Sequence, residues 1–190
     1  MMTEKEFFDF VHVAGNLKDN TRHSVTSKGR PESVAEHSWR VSLMALLLED
    51  EIVDADFNKI IRMCILHDLG EAITGDIPSF LKTEADSAHE DKMVFRLMET
   101  LPQPQRDKFL SLFHEMLALE TKEAKIYKAL DKLEAVIQHN EAPLSSWLPL
   151  EYDLNQIYGT EEAVKADPAL LRLRLEAIEH TKRKIEAERP

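Results

Sequence analysis

The chain has 190 residues, 43% of them apolar, a single cysteine and a formal net charge of −11 at pH 7. That length suits one domain with a sizeable core and leaves too little for a second comfortable one. The acidic balance argues against duplex nucleic acid or an anionic membrane surface as partner, and a lone Cys64 excludes an internal disulfide.

Few glycines and prolines favour long helices over many short strands. Glu4 to Ala14 reads as a first helix with Phe7, Phe8, Phe10, Val11 and Ala14 on its apolar face. The start MMTEKEFFDF is acidic and amphipathic, unlike a secretory signal, so a reducing cytoplasm is the expected setting. Gly15 to Arg30 is polar and aperiodic and reads as a loop of functional length. Pro31-Glu32-Ser33 opens the next helix, with Ser33 as N-cap and Glu36 completing a capping box. That helix runs to about Glu51 and places His37 on one face with Val34, Val41, Met44 and Leu48. Its apolar stretch around Val41 to Leu48 is far too short to span a bilayer.

A third helix starts at Ala55-Asp56 and ends at His67-Asp68, with Cys64 as a small buried hydrophobe rather than a catalytic thiol. Gly70 to Pro78 reads as a short helical piece and a loop. Ala85 to Leu101 and Gln105 to Leu119 are two further helices. Thr121 begins a strong one with Ile126, Leu130, Leu133 and Ile137 in a stripe and Asp131 beside it; Pro143 ends it. Trp147 to Tyr158 is aromatic-rich and ambiguous. Pro168 opens a terminal helix whose last turns, Lys182 to Arg189, are charged and expected to fray. No repeat and no useful alternating pattern is present, so the expected class is all-α, a single domain over residues 1–190. The metal-site core is expected in about 5–140, and residues 145–188 as a covering layer or dimer interface.

The pattern that carries chemistry is His37, the pair His67-Asp68, and Asp131. Each residue alone has a plain structural explanation: a core histidine, a helix-end pair, a carboxylate bridged to Lys128 or Lys132. Jointly, one divalent cation would stabilise all four awkward placements. Two imidazoles and two carboxylates leave open positions for a water of lowered pKa. Glu71 follows His67 by four residues and projects to the same side if the helix continues through Gly70, as the candidate proton-transfer group. Arg22, in the polar loop, is able to clamp a phosphate with its planar fork.

The strings RPESVAEHSWRVSLMA, ILHDLGEAITGDIP and KALDKLEAVIQ resemble the HD-domain superfamily of metal-dependent phosphohydrolases, and within it the 5′-deoxynucleotidase family. The likeness covers roughly residues 5–140. It implies an all-helical fold, often paired as a homodimer, with His37, His67, Asp68 and Asp131 as ligands of one divalent ion: manganese, cobalt, nickel, iron, zinc or magnesium. It implies Glu71 as acid/base residue, Arg22 on the phosphate and Asp76 on the sugar of a nucleoside monophosphate. His23 stands where the family commonly has a tryptophan, and Lys28-Gly29 where relatives often have arginine and asparagine, so the phosphate side of the pocket, His23 included, is expected to differ. Two alternatives stand beside this reading. One is another HD-type phosphohydrolase or phosphodiesterase, including a two-metal site that recruits His89 and His114, although surface positions explain those two better. The other is a non-catalytic domain that binds a metal or nucleotide.

Overall fold

The structure, a computed structural model, describes residues 1–188; Arg189 and Pro190 lie outside the described residues. It is helical apart from one two-stranded ribbon.

Helix α1 (Glu4–Gly15) starts on a capping box not read from the sequence, in which Thr3 accepts from the Glu6 amide and Glu6 from the Thr3 amide. The segment expected as a loop is more ordered than its composition suggests. A short 3-10 turn (Asn16–Lys18) leads into β1 (Thr21–Val25), which pairs antiparallel with β2 (Pro31–Ser33). Strands of three to five residues are too short to announce themselves by alternation. This ribbon is held from outside, by Gln138 Nε2 donating to the Val25 carbonyl at 2.6 Å. Pro31–Ser33 is therefore strand rather than the first turn of a helix. Ser33 still caps α2 (Val34–Leu48) through the expected box with Glu36.

Helix α3 (Phe57–Leu66) is capped by Asp56. It stops before His67 and does not continue through Gly70. One turn, in which the Glu71 amide donates to the Asp68 carbonyl at 3.0 Å, connects it to α4 (Glu71–Thr74). Gly70 is required there by packing: a Cβ would meet Val94 Cγ2 at 2.6 Å and Glu90 Cγ at 2.8 Å. Those two residues belong to α5 (Glu84–Glu99), which is followed by α6 (Gln105–Ala118). Helix α7 (Lys122–Glu141) runs through the centre, packed against α2 and α3 on one side and the C-terminal helices on the other. Its buried residues consequently cover more than one stripe: Ile126, Leu130 and Leu133 with Ala129, Val136 and the polar Glu134 and Gln138.

The ambiguous aromatic segment holds α8 (Glu151–Ile157), and a helix not anticipated, α9 (Thr160–Ala166), follows it. Trp147 is buried, whereas Ile157 is 68% exposed. Helix α10 (Pro168–Glu188) packs on α7 and α9. Its end does not fray within the described residues. Glu188 accepts from the Leu144 amide at 3.2 Å and from Lys184 Nζ at 2.7 Å. No helix of the described residues is long and apolar enough to cross a membrane.

Candidate metal centre

The four ligand candidates reach one point from three places in the chain. His37 comes from the second turn of α2, His67 and Asp68 from the turn that closes α3, and Asp131 from the middle of α7. His37 Nε2 stands 3.2 Å from His67 Nε2, 3.2 Å from Asp131 Oδ1 and 3.6 Å from Asp68 Oδ2. His67 Nε2 stands 3.0 Å from Asp68 Oδ2 and 3.7 Å from Asp131 Oδ1. Donors about 2.1 Å from a shared centre lie about 3.0–3.4 Å apart at octahedral and tetrahedral angles; His37, His67 and Asp131 form a group able to hold one ion, and Asp68 Oδ2 stands beside both imidazoles.

The outer nitrogens fix which face each ring presents. His67 Nδ1 lies 2.8 Å from the Cys64 carbonyl, an acceptor only, so Nδ1 carries the proton and the Nε2 lone pair faces inward. His37 Nδ1 donates to the fully buried Glu134 carboxylate, which Arg40 Nε holds from its other oxygen at 2.6 Å. Asp131 divides its oxygens: Oδ2 accepts from Lys128 at 2.7 Å and Oδ1 faces the histidines. The lysine bridge and the ligand role are therefore compatible. Asp68 Oδ2 is buried with no hydrogen-bond donor. An orphaned carboxylate oxygen facing two imidazole lone pairs fits a divalent cation of borderline hardness.

The charges point the same way. Burial opposes ionisation of His67, but Asp68 and Asp131 outweigh it and raise its pKa to about 10, so without a cation a proton sits on the inward Nε2, and a bound metal would displace it. Burial likewise opposes the charge on Asp68 and Asp131, yet both are held below the usual carboxylate range, by His67 in the first case and Lys128 in the second. The cluster favours positive charge at its centre.

A cavity of about 210 Å³ opens beside it, with Asp68, Asp131, Arg22, Glu71 and Asp76 on its walls. Glu71 is 4% exposed, and its Oε2 is buried without a hydrogen-bond donor. Burial, with Asp68, Asp76 and Glu90 nearby, raises its pKa to about 10, which favours its protonated form. Burial also raises Asp76, against the pull of Arg22. Arg22 Nη1 is 3.7 Å from Asp68 Oδ2, and its Nε is 3.2 Å from Glu32 Oε2, too misaligned to form a hydrogen bond. Its fork is thus placed at the edge of the quartet with donor capacity left. His23 also lines the cavity, but its Nε2 faces Glu151 at 3.0 Å.

His89 and His114 are exposed, and among the described residues neither falls in a group able to hold a metal, so neither joins the quartet. Three neighbours were not assigned from the sequence: Glu134, Arg40 and Glu32. Glu134 had a readable signal, a carboxylate three residues after Asp131 inside an apolar stripe. Glu32 and Arg40 had none, because their roles depend on partners far along the chain.

Residues 14–170 match the HD domain family. Human 5′-deoxynucleotidase HDDC2 is 28% identical over 141 residues, covering 72% of this chain and 68% of that protein. The zebrafish (Danio rerio) 5′-deoxynucleotidase HDDC2 is 33% identical, covering 70% and 67%. Among solved structures, a "predicted metal-dependent phosphohydrolase" from Magnetospirillum magnetotacticum MS-1 superposes with a TM-score of 0.81 at 24% identity, over 95% of each chain. A conserved hypothetical protein from Pyrococcus furiosus gives 0.67 at 31% identity, over 93% of this chain and 99% of that one.

Proposed function

The chain belongs to the HD-domain family, and on that premise we propose that it is a 5′-deoxynucleotidase, releasing phosphate from deoxyribonucleoside 5′-monophosphates. The observation that carries this reading is the convergence of His37, His67, Asp68 and Asp131 beside a cavity that also holds Glu71, with its raised pKa, and an under-used arginine fork. Relatives named 5′-deoxynucleotidase support the substrate class.

His37, His67, Asp68 and Asp131 would hold one divalent ion, which when bound would supply an activated water for attack on phosphorus and offset phosphoryl charge. Arg22 takes the phosphoryl oxygens on its free donors. Glu71 carries a proton at neutral pH and gives it to the leaving 5′-oxygen. Asp76 positions the sugar, and His23 forms part of the wall next to Arg22. The transition ions manganese, cobalt, nickel, iron and zinc suit a mixed nitrogen and oxygen shell better than magnesium does. The protein works in the cytoplasm, consistent with its one free, buried thiol. It acts as a homodimer, supported by an exposed apolar stripe on α2: Trp39, Leu43, Leu46 and Leu47.

The test is phosphate release from nucleoside mono-, di- and triphosphates with each added divalent ion. Turnover confined to deoxyribonucleoside monophosphates is expected. Equal rates on ribonucleotides would remove the role given to Asp76. No release from any ester, despite stoichiometric metal, would leave a non-catalytic binding domain.

A further inference from the structure

A second set of side chains able to ligate a metal lines the same cavity and shares no residue with the quartet. His23 on β1, His139 in the last turn of α7 and Glu151 at the start of α8 each bring a ligand atom within 4.8 Å of the others. His23 Nε2 and His139 Nε2 both stand 3.0 Å from Glu151 Oε1. That separation matches the edge of an octahedron with bonds of about 2.1 Å.

The surroundings aim these groups at one another. The Leu148 amide donates to Glu151 Oε2 at 2.6 Å, which turns Oε1 toward the rings. Phe80 packs edge-on against His23, with centroids 5.5 Å apart, and Trp147 lies 5.2 Å from the His139 ring. Trp147 Nε1 also donates to the His139 carbonyl at 3.1 Å, tying that end of α7 in place. Glu151 is 3% exposed, and although burial opposes its charge, His139 and the Leu148 amide hold its carboxyl below the usual range. A simple ion pair would need only one imidazole. Here two come from separate elements to the same oxygen, the donor set of a centre with three protein ligands and an open position.

We propose that His23, His139 and Glu151 form a second binding site for a divalent transition cation, with zinc the best match, independent of the quartet and open to the cavity for a further ligand. This goes beyond the phosphatase reading and does not depend on it. His23 and His139 side chains are 29% and 15% exposed, against 0% and 3% for His37 and His67. The rim ion therefore binds more weakly and exchanges faster than the deep one.

The test is a zinc count. Metal-stripped full-length protein is equilibrated with zinc chloride, and bound metal per chain is measured by elemental mass spectrometry. The native chain is expected to saturate near about two ions, and His139→Ala and Glu151→Gln each near about one. Asp131→Ala should keep the rim ion, and combining it with His139→Ala should remove both. An unchanged count in either folded rim variant overturns the proposal. Circular dichroism establishes folding, and His23→Gln, at a partly exposed ribbon position, replaces a rim variant that does not fold. Failure of the quartet assignment would show separately, as an unchanged count in Asp131→Ala.

Discussion

The two histidine clusters on this cavity are built differently. In the deep one, each ring is oriented by a hydrogen bond on its outer nitrogen, from His67 to the Cys64 carbonyl and from His37 to Glu134. At the rim, Phe80 and Trp147 pack against the rings, and one carboxylate oxygen faces both. The deep site places charged groups where water is scarce, so each charge needs a partner and any loss is costly. The rim site is partly solvated at its two rings, although Glu151 between them is buried. Buried networks set affinity and chemistry here, while packed aromatic walls set shape.

Four substitutions probe that contrast. The largest effect is expected from Asp68→Ala, which should abolish phosphate release and deep-site metal retention together while the rim count is unaltered; activity assay and elemental analysis of the same sample check both. Next, Glu71→Gln should lower kcat by about 10²–10⁴-fold, the usual worth of a positioned proton donor, and keep the metal. Full activity in that variant removes Glu71 from the mechanism. Glu134→Gln should weaken deep-site metal binding by about 10–100-fold, since it alters the hydrogen bond that orients His37, and competition with a chelator would measure it. Gly70→Ala forces a Cβ into Val94 and should destabilise by about 1–3 kcal/mol, read as a lower Tm.

A separate effect is a pH dependence of stability. The Glu71 pKa is raised to about 10 in the folded chain, from an ordinary 4.5. Folding thus favours its protonated form. That contribution is complete below about 4.5 and is lost as pH climbs toward 10. In metal-stripped protein, the Tm advantage of Glu71→Gln over the native chain should grow between pH 5 and pH 9. An advantage independent of pH contradicts the buried neutral acid.

Much of the deep site was legible because its residues break local rules. A histidine on an apolar helix face, a polar pair at the end of an apolar run and an aspartate beside a buried stripe are each awkward alone, and a shared cation accounts for all of them. Glu71 was singled out for a reason the structure corrects. It reaches the cavity not by continuing α3 but by opening α4 after a turn that Gly70 allows. The ribbon at residues 21–33 was missed because it is short and depends on Gln138, more than a hundred residues away. The second cluster was missed for a similar reason. His139 and Glu151 look like ordinary helix-end residues until β1 brings His23 to them.

The amino-acid pattern alone determined the helical class, most helix starts and the box at Ser33, and it singled out the four residues proposed as ligands, because capping, periodicity and misplaced polar residues are local signals. Only the tertiary structure decided which partners hold those residues. Glu134 on His37, Glu32 beside Arg22, the raised pKa of Glu71 and the meeting of His23 with His139 and Glu151 all arise from contacts between distant segments, whose energies depend on burial and distance rather than on neighbours in the chain.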